Sequence, residues 1–211
     1  MPQLLRKLFA FPIIFVFCNL FFSGCQSRSI IENPTADIVS TLEVVSSQNT
    51  KKAEISRKLP KRIGNMELFK VVDYTKRFII GIDMGYGVFY DLKEGKKGSG
   101  NIYLYSRDQE TKVNGLNEEA LAELHNEQKT LQHGAVEKGN EIKVIFNGIP
   151  FYKIHFITPP DAANNQYLCY GFITVYNSIF IKVIFFYPKD ASYGETETDK
   201  FMNELTIAIS K

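Results

Sequence analysis

The run Ile179-Phe180-Ile181-Lys182-Val183-Ile184-Phe185-Phe186 is apolar at odd and even positions alike. Side chains alternate across a strand. A strand that is apolar in both sets must be covered on both faces, which puts it in the middle of a sheet. Pro188 ends it, since proline has no N–H for the ladder. Asn177-Ser178 forms a tight turn back to a second strand over 167–176. An aromatic content of 13 % with no Trp suits a β-containing core.

The remaining elements follow from period and punctuation. Strands are expected over 67–73 and 77–83. A long hairpin follows over 86–92 and 101–107, joined by the flexible, solvated, glycine-rich turn 93–100. Residues 117–133 read as a helix: Asn117 caps it, Leu116 staples to Leu121, and Leu121, Leu124, Gln128 and Leu131 form one stripe. Strands return over 141–146 and 151–158. A last helix is capped by Thr196, with Phe201, Leu205 and Ile209 facing inward. Hairpins, helix, antiparallel strands and helix make an α+β domain, an antiparallel sheet flanked by helices.

The N-terminus has a different character. Met1-Pro2-Gln3-Leu4-Leu5-Arg6-Lys7 precedes an apolar stretch, Leu8 to Phe22, that Pro12 interrupts and that is short for a membrane span. A charged start, an apolar stretch and small residues make a secretory signal. Phe22-Ser23-Gly24-Cys25 resembles a bacterial lipobox, with Phe22 where Leu is usual. The resemblance implies cleavage before Cys25, a diacylglyceryl thioether on its sulfur and palmitate-type acylation. It also implies residence in the cell envelope, facing the periplasm. Gln26 favours the outer membrane, by analogy with lipoproteins that Asp retains on the inner one.

The expected organisation is a signal peptide over 1–24, a tether over 25–62 and a globular domain over 63–211. The tether is rich in Ser, Asn, Thr and Lys; within it Ile38, Leu42 and Val45 share a face and could form a short helix. Removing residues 1–24 of 211 leaves 187. Cys18 leaves with the signal, and Cys25 is committed. Cys169 is then the one free thiol, so no internal disulfide is expected. It lies in an apolar strand pattern, as an inert buried thiol does. A formal net charge of +2 argues against a nucleic-acid partner.

The element order resembles the PsbP-like fold, named for an extrinsic photosystem II subunit and shared by DcrB-like bacterial lipoproteins. Gly85-Tyr86-Gly87-Val88-Phe89-Tyr90, then Asn101-Ile102-Tyr103-Leu104-Tyr105, the mid-chain helix, and Phe180-Ile181-Lys182-Val183 before Pro188 carry the resemblance, over roughly 64–211. It implies a non-enzymatic binding or assembly factor.

Nothing in the sequence assembles a catalytic set. His125 and His133 are eight apart, not the four of a helical zinc pair, and His155 is in a strand; no metal or cofactor is expected. Gly98-Ser99-Gly100 leads into a strand, unlike a nucleophile elbow. Gly95-Lys96-Lys97-Gly98-Ser99 lacks phosphate-loop spacing. Asp83 and Asp91 read as turn formers. Tyr86, Tyr90, Tyr103 and Tyr105, on adjacent strands of one hairpin, are the candidate partner-binding residues, since a tyrosine ring is apolar and its hydroxyl stays wet. The alternative is that they pack in the core.

The expected function is that of a membrane-anchored envelope lipoprotein, without enzymatic activity, that binds a protein partner or supports an assembly. The alternatives are a periplasmic module for a small or lipidic ligand, in a pocket between sheet and helix, and a hydrolase with an unrecognised site.

Overall fold

The structure, a computed structural model, describes residues 49–75, 82–93, 95–107, 118, 122, 126 and 134–211, with backbone alone at 82–84 and 107. The described residues all belong to the compact unit Ile38–Lys211. Among the described residues nine strands form one antiparallel sheet: β1 Arg62–Ile63, β2 Met66–Asp73, β3 Ile82–Leu92, β4 Ser99–Arg107, β5 Glu137–Lys138, β6 Ile142–Phe146, β7 Ile149–Ile157, β8 Tyr167–Tyr176 and β9 Ile179–Pro188. Their spatial order is β1-β2-β3-β4-β9-β8-β7-β5, with β6 also on β7. Residues 49–58 form helix α1, and Gly194–Ile209 forms helix α2.

This corrects the expectation of an α+β domain. Sheet makes up 48 % of the structure and curls into a half-barrel. The physical reason is the seam between β4 and β9. Ser99 to Tyr105 pairs with Phe186 to Phe180. Two meanders, β1–β4 and β6–β9, thereby fuse into one ladder, and a ladder this wide must twist and coil. Of the helix expected over 117–133, residues 118, 122 and 126 alone are described, and they are helical. Cys25, the Ile38-Leu42-Val45 segment, His125 and His133 lie outside the described residues.

The strands expected over 77–83 and 86–92 are one strand, at least from Ile82 onward. The chain shifts register between Asp83 and Tyr86 instead of turning. Gly85 sits there at φ +55°, and a Cβ on it would fall 1.7 Å from the Leu104 carbonyl oxygen. Only glycine fits such a bulge.

β9 lies between β4 and β8, as its two-faced apolar run requires. Ile179, Ile181, Val183, Phe185 and Tyr187 point to one face, together with Val88, Tyr90, Ile102, Leu104 and Phe172. Phe201, Met202, Leu205 and Ile209 of α2 cover that face. Their spacing of one, three and four residues is a helical stripe. The helix begins before Thr196: Tyr193 is at its N-cap, without a side-chain cap, and Glu195 and Glu197 occupy the positive first turn. The opposite face buries Tyr105, Tyr152, Ile154, Phe156, Cys169, Ile173, Val175 and Phe180.

The segment assigned to the tether contributes to this core. Ile55 and Leu59 are buried in the α2-side cluster, beside Ile63 of β1. Packing therefore crosses the 62/63 boundary without a break.

Candidate functional site

The four tyrosines do not form one surface. In an antiparallel pair, directly opposed residues share a face. Tyr86 opposes Leu104, and Gly87 opposes Tyr103. Tyr86 and Tyr90 therefore point to the α2 side, and Tyr103 and Tyr105 to the other. Tyr90 is fully buried. Its hydroxyl donates to the Pro60 carbonyl at 2.8 Å, and its ring meets Phe201 edge-on at 5.3 Å. Burial pushes its phenol well above the usual range. Tyr86 is half-buried against the same cluster.

Across the sheet, Tyr105 stacks on Phe180 at 5.1 Å, and Tyr103 meets Phe89 edge-on at 6.0 Å. The Lys182 amine lies over both, 5.3 Å from the Tyr103 ring and 5.5 Å from Tyr105. This explains how a lysine survives inside the apolar β9 run: ring faces attract its charge. The structure thus brings Tyr103 and Tyr105 together around a buried cation and puts Tyr90 in the core.

The other sequence candidates are likewise dispersed. Among the described residues no three His, Cys, Asp or Glu side chains converge as a metal site does. His155 is exposed, with its ring over Gly139 and 6.3 Å from Tyr170. Cys169 is buried, and desolvation pushes its thiol up, so it is inert. Asp91 is exposed opposite Ser99, and the Asp83 side chain lies outside the description.

Three polar features escaped the sequence reading. The first is Lys52, on α1, whose amine donates to Ser106 Oγ of β4 at 3.0 Å. Lys52 is 0 % exposed and Ser106 1 %. Burial lowers the amine to about 8. A serine beside an amine of depressed pKa is the pairing of a Ser-Lys nucleophile. Here neither side chain reaches solvent, so no substrate carbonyl meets Oγ, and the pair instead clamps α1 to the sheet. The sequence signal was the Lys52-Ile55-Leu59 spacing, a helical stripe in which lysine supplies an apolar stem.

The second feature corrects the flexible turn. Glu197 of α2 accepts from Lys96 at 2.7 Å and from Asn65 at 3.0 and 3.1 Å. The Tyr193 hydroxyl accepts from the Lys97 N–H and donates to the Lys97 carbonyl. Lys96 also lies 5.1 Å over the Tyr193 ring. The β3–β4 connection is thus docked on the start of α2. Burial raises the Glu197 carboxyl, but the bonds from Lys96 and Asn65 outweigh it and hold it below the usual range.

The third is Lys153, mostly buried on β7. It pairs with Glu195 at 3.2 Å and lies 5.3 Å over the Tyr170 ring. Burial, with the charges of Glu195 and Asp199, raises the Tyr170 phenol.

Among the described residues, a cleft and a sheet edge are open to a partner. An open cleft of about 440 Å³ lies between α1, the β8–β9 turn and the end of α2, lined by Lys51, Glu54, Ile55, Lys58, Asn177, Ser178 and Ile209. It has two apolar side chains and a charged rim, unlike the mostly apolar pockets that hold small ligands. The other place is the sheet's outer flank. β6 pairs with β7 on one side, and no strand lies beyond it among the described residues. Ile142 is 49 % exposed there and Ile145 71 %. No family model and no curated protein matches the chain.

Proposed function

We propose that this chain is a lipid-anchored envelope protein that performs no chemistry and captures a partner on its β6 edge. The observation that carries the reading is an edge strand, Ile142-Lys143-Val144-Ile145-Phe146, paired on one side only among the described residues, with both isoleucines exposed. Soluble proteins usually blunt such edges with charge, proline or a covering element. This one carries a single lysine, Lys143, whose amine lies 5.7 Å over Tyr152. An extended segment added here gains main-chain hydrogen bonds, and the isoleucines give it register.

The anchor is part of the proposal. It rests on the Ser23-Gly24-Cys25 sequence after the apolar stretch. One acyl chain binds a membrane only reversibly, whereas two hold stably.

A photoreactive residue at position 145, in the full chain in native membranes, tests the capture. The expected result is one discrete crosslinked band, lost when Lys143→Pro removes an outward-facing donor, since Lys143 opposes Tyr152 at a position not bonded to β7. Crosslinks that are absent or unchanged by Lys143→Pro refute the edge. Fatty-acid labelling that persists in Cys25→Ser refutes the anchor.

A further inference from the structure

The opposite edge of the sheet carries a different surface. β1 covers only the start of β2, through Arg62 opposite Glu67 and Ile63 opposite Met66, extended by the Leu68 N–H donating to the Lys61 carbonyl at 2.8 Å. Beyond that point β2 is the outer strand among the described residues. Its register shifts between Leu68 and Lys70, so Phe69 is the extra residue of a bulge, and Phe69 is 70 % exposed. Val71, two residues on, is 46 % exposed. A single exposed apolar side chain needs no explanation. Phe69 and Val71 stand out because of the charges around them.

Lys61 and Lys70 are exposed at this edge, and neither has a carboxylate partner among the described residues. The acids nearby are engaged. Glu54 pairs with Lys58 at 2.9 Å and Glu67 with Lys93 at 3.2 Å. Asp73 accepts from the Thr75 N–H at 2.9 Å and from its hydroxyl at 2.5 Å. The edge therefore presents Lys61 and Lys70 without ion-pair partners among the described residues, beside a protruding aromatic ring. No helix among the described residues is long and apolar enough to cross a membrane, so any membrane contact from these residues is at the surface or by strands.

We infer that the β2 edge docks on an anionic lipid bilayer, with Phe69 entering the headgroup boundary and Lys61 and Lys70 meeting lipid phosphates. A buried ring supplies apolar contact, and lysine and arginine supply attraction that falls with salt. Charge complementarity selects a bilayer over a protein: a protein hot spot concentrates on a desolvated centre, whereas here the ring stands among solvated cations. The inference goes beyond the β6 reading and holds whether or not Cys25 is acylated.

The chain contains no Trp, so Phe69→Trp gives a single reporter. The full-length variant is reconstituted with vesicles of phosphatidylcholine alone, or of phosphatidylcholine and phosphatidylglycerol in equal parts, each also made with brominated acyl chains. The expected result is a blue-shifted emission and bromine quenching in the anionic vesicles only, reversed by high salt. Lys61→Glu/Lys70→Glu added to the reporter variant should abolish the quenching. Ile145→Trp, a reporter on the far edge, should stay unquenched. Trp at 69 that stays solvent-like in anionic vesicles overturns the inference. So does equal quenching in neutral vesicles or at position 145, or a blue shift that needs an envelope protein extract instead of lipid. Because the reporter reads depth and not attachment, failure here leaves the Cys25 and β6 tests unaffected.

Discussion

Lys52 Nζ and Ser106 Oγ meet 3.0 Å apart in the interior, across 54 residues of chain. One belongs to a helix in a stretch whose composition reads as a linker, the other to β4. Their contact makes α1 part of the fold and gives it a titratable hold on the sheet.

Lys52 predicts how stability depends on pH. Its amine falls from 10.5 in the open chain to about 8 in the fold. Below about 8 both states bind the proton and the burial penalty is constant. Between about 8 and 10.5 the unfolded chain binds more protons, so stability rises with pH. The swing is about 3 kcal/mol at most. Lys52→Met should lack it. Urea melts of both proteins from pH 7 to 10.5 check this: the gap between them should be flat at the low end and shift in favour of the parent above about pH 8.

Tyr90 is core, and its variants should show it. Tyr90→Phe loses the bond to the Pro60 carbonyl and strands that oxygen, at about 1–2 kcal/mol. Tyr90→Ala leaves a cavity against Phe201 and should cost about 3–5 kcal/mol. Thermal melts measure both. An Ala variant that melts with the parent would contradict the burial.

Glu197→Gln should free the β3–β4 connection from α2. Hydrogen exchange of the amides over 95–98 should quicken at least several-fold while β9 stays protected. The acid limb should change too. A carboxyl held below its usual value adds stability above the unfolded pKa, here 4.5, and loses it as pH falls further. The parent should therefore lose more stability below pH 4.5 than Glu197→Gln does.

What the sequence made legible was local. β8 runs Tyr167–Tyr176 because its apolar stretch stops at Asn177 and Ser178, both at positive φ, a two-residue hairpin turn. The two-faced apolar run of β9 placed it inside the sheet. Pairing between distant strands leaves no comparable trace. Nothing in Ile102-Tyr103-Leu104 announces Val183, Lys182 and Ile181 as its partners. Without that seam the elements read as hairpins and helices side by side. The tyrosine patch failed through parity: 86 and 90 are even, 103 and 105 odd, and the hairpin register decides which share a face. Lys52 was hidden because its charge masks a stem that packs like an aliphatic chain.

The position of β9 also governs how the chain comes into being. Residues 179–188 join β4 to β8, yet they follow every other strand along the chain. While a nascent or translocating chain emerges from its N-terminus, two partial sheets wait with bare edges at β4 and β8, rich in Ile, Leu, Tyr and Phe. The β4–β9 contacts join residues 99–105 to 180–186, so this half of the closure is non-local and forms only once β9 is available.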